Sequence, residues 1–217
     1  MDLIQDIQNN TRVPDSVILV DNTADPSRNP KITAPNIKTL YFGGNIGVNA
    51  VWNYGIRNCM NSHLSVLNDD IRIPPHFFEA TEQVFKKSKN IGIVCPHTVH
   101  SPDDYDIPNW DGKNDLKQMR RREGWAFTIR NELRKQLPLI PKELFVFMGD
   151  NWLWCWTYEL NFVWRKDFST TIYHRIGGAL RENRELRALL RDEKRICVQM
   201  LNASIADYRK IKKKRER

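Results

Sequence analysis

The strongest constraint on this chain is a rhythm of short apolar runs, each of strand length, each stopped by a polar turn and followed by helical spacing. Ser16-Val17-Ile18-Leu19-Val20 is a continuous apolar run ended by Asp21-Asn22-Thr23-Ala24-Asp25-Pro26-Ser27, which predicts a strand buried on both faces and then a polar loop. Ile37 to Phe42 repeats the pattern, and His63 to Leu67 and Ile91 to Cys95 add two further strands. Between them Val48, Val51, Trp52 and Ile56 fall on one helix face, with Asn45 placed to cap it. Pro74-Pro75 opens another helix running to about Lys89, and Leu3, Ile4 and Ile7 give a short helix at the front. Strands alternating with helices in this way predict an α/β domain whose sheet is largely parallel and covered on both sides.

The texture changes after Pro96. His97 to Arg122 is a long polar stretch, the kind of insertion that compact domains use for functional lids or leave without order. Gly124 to Ile129 resumes a strand, and Leu144 to Trp156 is unusually aromatic. Trp152, Trp154 and Trp156 alternate with period two, so one face of a core strand is the plain reading, while aromatic faces also stack on sugar rings and bases. Residues 176–217 read as a charged helix with Leu186, Leu189, Leu190, Ile196, Met200 and Leu201 as its buried stripe. The chain therefore divides into a body over 1–178 and a basic helical extension over 179–217.

The net charge of +8 invites polyanions, but Arg209 to Arg217 holds seven basic residues and one acid, six of the eight units. The basic character is mostly a tail, suited to docking on an anionic membrane or on nucleic acid, with a solvated helix end as the plainer alternative. No apolar run approaches the roughly 18 residues that span a bilayer, which predicts a cytoplasmic protein, peripheral to a membrane where the tail docks. The four cysteines show no C-x-x-C spacing, and His97 and His100 have no third ligand near them in sequence. Gly43, Gly44 and Gly47 lack the G-x-G-x-x-G spacing of a dinucleotide fingerprint.

Open α/β sheets bind ligands beyond the carboxyl ends of their strands. Three apolar runs end in acids: Asp21 with Asp25, Asp69 with Asp70, and Asp150 after Phe145-Val146-Phe147-Met148-Gly149. Turn formation explains any one of these. Three together are harder to dismiss, and Asn68-Asp69-Asp70 could supply the one or two carboxylates that a hard cation such as Mg2+ or Mn2+ takes alongside substrate phosphates.

These pieces resemble the GT-A fold nucleotide-sugar glycosyltransferases, in particular the inverting family 2 with its rhamnosyltransferase-like members. Val17 to Asp25 is similar to the family's strand followed by Val-Asp-Asn-Gly-Ser-x-Asp, and Asn45-Ile46-Gly47 with Asn53-Tyr54-Gly55-Ile56 is similar to its Asn-x-Gly and Arg-Asn-x-Gly-Ile segments. Leu67-Asn68-Asp69-Asp70 resembles its Asp-x-Asp motif, Gly124-Trp125-Ala126-Phe127 a strand near the sugar, Gly149-Asp150-Asn151 the segment of the base, and His174 a late His-x-x-Gly element. The resemblance implies a metal-dependent inverting transferase that moves a sugar from a nucleotide-diphosphate donor to a glycan, protein, lipid-linked or nucleic-acid acceptor. It implies donor contacts by Asp21, Asn22, Asp25, Asn45, Gly47, Asn53 and Asp69, and Mn2+ or Mg2+ held by Asp70 and His174. It further implies Asp150 as general base and Gly124, Trp125 and Trp152 on the acceptor or sugar side. The sequence departs from the family in two places: Asn151 stands where a second acid is usual, and the residues before Val17 read as a helix where the family begins with a strand. That strand position is filled by another segment, by a partner chain, or left out. The alternative reading is a non-catalytic polyanion-binding protein on a degraded transferase scaffold.

Overall fold

The computed structural model describes residues 2–23, 25, 27, 32, 34–106, 110–119, 123–175 and 183–215. Its strands are β1 (Val17–Asp21), β2 (Ile37–Tyr41), β3 (His63–Leu67), β4 (Ile71–Arg72), β5 (Ile91–Val99), β6 (Leu116–Gln118), β7 (Ala126–Arg130) and β8 (Val163–His174). The helices are α1 (Asp2–Gln8), α2 (Val48–Asn58), α3 (Phe77–Lys87), α4 (Asn131–Arg134), α5 (Gly149–Glu159) and α6 (Arg184–Arg215).

The larger sheet has the order β3-β7-β5-β8-β4, with β6 also paired to β8. β5 and β8 are parallel, and β7 lies antiparallel to both of its neighbours, β3 and β5. β3, β5 and β8 thus share one direction, as the alternating pattern predicts, while β7, β4 and β6 run against it. Ile91 to Cys95 is buried at every residue, the behaviour expected of a central strand covered on both faces.

β1 and β2 pair in parallel as a two-stranded sheet of their own, and among the described residues no strand joins them to β3. This corrects the expectation that β1 is buried on both faces: Ile18 is 44% exposed, because an apolar strand with one ladder neighbour is only half covered. The front segment is helical as expected, and Leu3 and Ile7 pack with Ile71, Ile73 and Phe77.

α3 buries Phe77, Ala80, Thr81, Val84 and Phe85, an i, i+3, i+4 stripe, with Glu79 in its first turn and Lys86 and Lys87 in its last, where the helix dipole favours each sign. The main core gathers Ile93, Phe127, Ile129, Leu133, Leu153 and Trp164, each fully buried, between the sheet and helices α2, α5 and α6. Residues 149–159 are helical, which corrects the period-two strand reading of the tryptophans. Gly149, Trp152, Leu153, Trp156 and Thr157 are the buried set, one helix face at i, i+3, i+4, i+7 and i+8, and the alternation of tryptophans is incidental to it. Phe145 to Met148 is likewise irregular backbone, not a strand, so Asp150 stands in the first turn of a helix.

α6 lies along α5 and buries Glu193, Cys197 and Leu201, with Ile205 and Tyr208 continuing the face. Leu186, Leu189 and Leu190 are half-buried. Tyr208 meets Trp156 edge-on at 5.3 Å, and the Arg209 guanidinium donates twice to the Glu159 carboxylate, at 2.9 and 2.7 Å. The helix is therefore seated on the body as far as Arg209. Among the described residues no helix is long and apolar enough to cross a membrane.

Candidate active site

Because β7 is reversed, its N-terminal end lies on the same side as the C-terminal ends of β3, β5 and β8. That side collects the sequence-predicted residues. Asp70 follows β3 in a turn, and His174 is the last residue of β8, with its Nε2 3.4 Å from Asp70 Oδ1. The backbone holds this approach, since the Arg175 N–H donates to Asp70 O at 3.1 Å. Trp125, just before β7, stacks on the His174 ring with centroids 4.8 Å apart and planes 14° apart. Its indole N–H donates to Thr98 Oγ1 at 2.9 Å, which fixes the ring that in turn fixes His174. Asn68 completes the join by donating its N–H to Trp125 O at 2.8 Å.

Gly124 connects this group to Asp150. A Cβ at Gly124 would lie 3.4 Å from Asp150 Cβ and 3.0 Å from the Trp52 ring, so α2, α5 and the entry to β7 meet at a contact tighter than side chains ordinarily make. Asn151 donates through its backbone N–H, at 2.8 Å, and its side-chain amide, at 3.2 Å, to Asp150 Oδ1. Asn151 thus orients the acid and, being an amide, accepts no proton itself at neutral pH.

Asp21 ends β1 and is buried; its Oδ1 accepts the Thr23 N–H at 2.8 Å, while Oδ2 has no hydrogen-bond partner among the described residues. A buried carboxylate oxygen without a donor is costly in a folded chain and suits a site that a ligand hydroxyl or N–H completes. Asn22 Oδ1 accepts the Ile46 N–H at 2.8 Å, tying the end of β1 to the glycine-rich loop. Asn45 does not cap α2 as expected. Its Oδ1 accepts the Gly47 N–H at 2.9 Å within the loop, and Gly47, at φ +84°, is the capping residue. Gly47 also presses on Phe145, where a Cβ would come within 2.6 Å of the ring, so the left-handed backbone and the close approach both call for glycine.

Three predicted residues are committed elsewhere. The Asn53 amide makes a reciprocal pair with the Ile140 peptide, donating at 2.8 Å and accepting at 2.9 Å, so it braces a loop and presents nothing to a donor. Trp152 is buried in the core with its indole N–H on Pro138 O. Asp25 is exposed and holds a turn, with Ser27 donating to it through N–H and hydroxyl; those hydrogen bonds keep its carboxyl below the ordinary carboxylate value. Asp69 is exposed beside Asp70. Ile176 to Gly178, the rest of the late motif, and Arg120 to Arg122 lie outside the described residues.

Sequence reasoning missed several neighbours. Glu123 and Lys166 form a nearly buried ion pair at 2.6 Å, and Glu123 also accepts from Thr98, the residue that holds Trp125. His100 lies under the same group, with Nδ1 3.1 Å from His174 O. Their sequence signals are weak, a lone acid in a loop and a lone histidine after a strand. His63, His76 and His97 are held below the ordinary imidazole value by burial and are neutral at pH 7.

Several solved structures share the fold of this chain. The GT-A glycosyltransferase fold is the architecture shared by the matches. GalNAc-T7 with UDP, GalNAc and Mn2+ superposes with TM-score 0.60 at 13% identity, over 81% of this chain and 40% of that one. Staphylococcus aureus TarS 1–349 with UDP-GlcNAc gives 0.59 at 12% identity, over 83% and 56%. The mannosyltransferase PcManGT from Pyrobaculum calidifontis with GDP-Man and Mn2+ gives 0.57 at 13% identity, over 80% and 52%. The chain thus spans between 40 and 56% of the length of these structures. No family model and no curated protein matches the sequence.

Proposed function

We propose that the chain is a glycosyltransferase that moves a sugar from a nucleotide-diphosphate donor to an acceptor hydroxyl with inversion, assisted by Mn2+ or Mg2+. The observation that carries this reading is the continuous strip Asp70–His174–Trp125–Gly124–Asp150 on one side of a GT-A sheet. In the proposed mechanism Asp21 Oδ2 accepts a hydrogen bond from the nucleoside. Asp150 takes the proton of the acceptor hydroxyl as its oxygen attacks the anomeric carbon, and the bond to the diphosphate breaks with its electron pair on the leaving group. A single displacement of this kind inverts the anomeric centre.

The donor set suits a hard divalent ion. Asp70 Oδ1 and His174 Nε2 are spaced as two ligands of one ion would be. Among those residues no cluster of three His, Cys, Asp or Glu side chains forms a closed metal cage. An open site completed by phosphate oxygens and water is the usual manner for Mg2+. The ion would neutralise charge growing on the departing diphosphate. Trp125, through its stack, holds His174 in place for that role.

The acceptor is proposed as a glycan, protein, lipid-linked sugar or nucleic-acid base, and the half-buried Lys212 with the exposed Lys213 and Lys214 as docking charges for an anionic membrane or nucleic acid. Among the described residues β1 and β3 each have a side without a strand neighbour, and either offers a partner chain a place for one more strand. The deciding experiment is titration of the full chain with UDP-GlcNAc, UDP-GalNAc and GDP-mannose, with and without Mn2+, following binding and slow donor hydrolysis. Metal-dependent binding that Asp70→Ala weakens at least tenfold is expected, the loss typical of a ligand or of its close support. No nucleotide binding, or binding indifferent to Asp70→Ala, would refute the reading.

A further inference from the structure

The loop that delivers Asp150 is held from two sides by groups of opposite polarity. On one side Glu193, buried at 1% exposure in α6, accepts three consecutive backbone N–H groups: Phe145 at 3.0 Å and Val146 at 3.1 Å on Oε1, Val146 at 3.3 Å and Phe147 at 2.7 Å on Oε2. On the other side the Asn49 amide of α2 donates to the carbonyls of Leu144 and Phe147, each at 2.8 Å. Cys197, one turn after Glu193, sits with its Sγ 3.9 Å from Met148 O. Met148 itself takes φ +63°, a left-handed conformation uncommon for a residue with a side chain, immediately before Gly149 and Asp150.

A short run of unpaired N–H groups pointing the same way is a natural anion nest. Here the chain fills it with its own carboxylate, reached from 46 to 48 residues further along the sequence. A carboxylate could have remained in water at far lower desolvation cost, so its burial is maintained by these bonds. They fix the direction in which the backbone leaves Phe147, and with it the left-handed step at Met148 and the origin of α5. Asp150 is two residues beyond that step.

We propose that Glu193 is a positioning residue for the catalytic base: by stapling the N–H groups of residues 145–147 it sets the placement of the Asp150 carboxylate, making α6 part of the catalytic unit. This rests on the reading of Asp150 as general base. Nothing in Glu193 touches substrate; it acts through the loop.

The test uses the full chain carrying Glu193→Gln or Glu193→Ala, with UDP-GlcNAc, UDP-GalNAc and GDP-mannose in Mn2+ and water as acceptor, alongside amide hydrogen exchange. Gln keeps the shape and one acceptor oxygen, whereas Ala leaves all three N–H groups unmet. Expected is a fall in kcat for donor hydrolysis of about tenfold for Gln and about a hundredfold for Ala, the scale of a displacement near 1 Å, with donor KM unchanged within about twofold. Exchange should accelerate over 145–150 while β5 and β8 keep wild-type protection. Exchange over 145–150 equal to wild type would overturn the proposal, as would kcat unchanged or loss of kcat that only follows the loss of folded protein. If the wild type binds none of the three donors the transferase reading fails, and in that case, or where it binds them without hydrolysis, exchange alone decides whether Glu193 orders the loop. Should the Ala variant not fold, the Gln variant carries the same comparison.

Discussion

Replacing Gly149 by alanine probes the contact on which the site geometry depends. Gly149 opens α5 directly before Asp150, and a Cβ there would overlap Asn49 Oδ1 and lie 2.9 Å from both Asn49 Cγ and the Trp52 ring. Two effects oppose. Alanine in a helix gains about 1 kcal/mol over glycine. Against this, overpacking a well-filled contact costs about 1–3 kcal/mol. The Asn49 side chain has no slack: moving it strands the carbonyls of Leu144 and Phe147, and a buried polar group left unmet costs about 1–3 kcal/mol. The net is a loss of about 3 kcal/mol, which in a chain of 217 residues lowers Tm by about 6–12 °C. Urea unfolding followed by tryptophan fluorescence should show the midpoint drop by about 1 M. Gly43→Ala separates clash from backbone strain, because Gly43 has φ +80° but nothing within 4 Å of an added Cβ; its cost should stay near 1–2 kcal/mol. A Gly149→Ala protein as stable as wild type would refute the claim that α2 and α5 touch backbone to side chain at the base.

Asp150→Asn should lower transfer or donor hydrolysis by about 10²–10⁴-fold while nucleotide binding, measured by calorimetry, is retained; unaltered turnover rejects Asp150 as base. Stability should fall as pH drops from 7.5 to 5.5. Burial holds the imidazoles of His63, His76 and His97 below their ordinary 6.5, so the unfolded chain binds protons in this window that the folded chain does not. Asp25, Asp111 and Glu159, held low by their partners, contribute above their ordinary values of 3.8 to 4.5 and weaken only at more acid pH, so a Tm flat from 7.5 to 5.5 would contradict the burial of the three histidines. Deleting residues 210–217 keeps the Arg209–Glu159 pair and should weaken binding to anionic vesicles or duplex DNA at least tenfold at low salt, at about 1 kcal/mol per cation near a charged surface. Unchanged binding would make the charged end a solvated terminus.

Much of the architecture was legible because buried strands leave dense signals: Ile91 to Cys95 reads as a core strand, and so it is. The acids that follow strands were legible for the same reason, since Asp21 and Asp70 stand where apolar runs stop. Residues 145–156 were not. Their helix is apolar on most sides, so no clean period survives, and the run before Asp150 is apolar yet irregular because Glu193 and Asn49 satisfy its backbone in place of a strand neighbour. Asn53 was assigned a ligand on the strength of a motif, whereas its amide closes on the Ile140 peptide 87 residues away. Side-chain bonds to distant backbone leave no trace in local spacing. Glu193 was invisible on the same account, one acid in a run of charges, with burial decided wholly by the loop it meets.

α6 has 32 residues and so extends about 48 Å at 1.5 Å per residue. Its staple at Glu193 and its lysines at 212–214 are about 30 Å apart along one helix. The charged end is thus an outrigger: any surface that captures it sets the angle at which the mouth of the site meets that surface. On the proposed docking, the tail would govern which hydroxyls come within reach as much as how long the protein stays there.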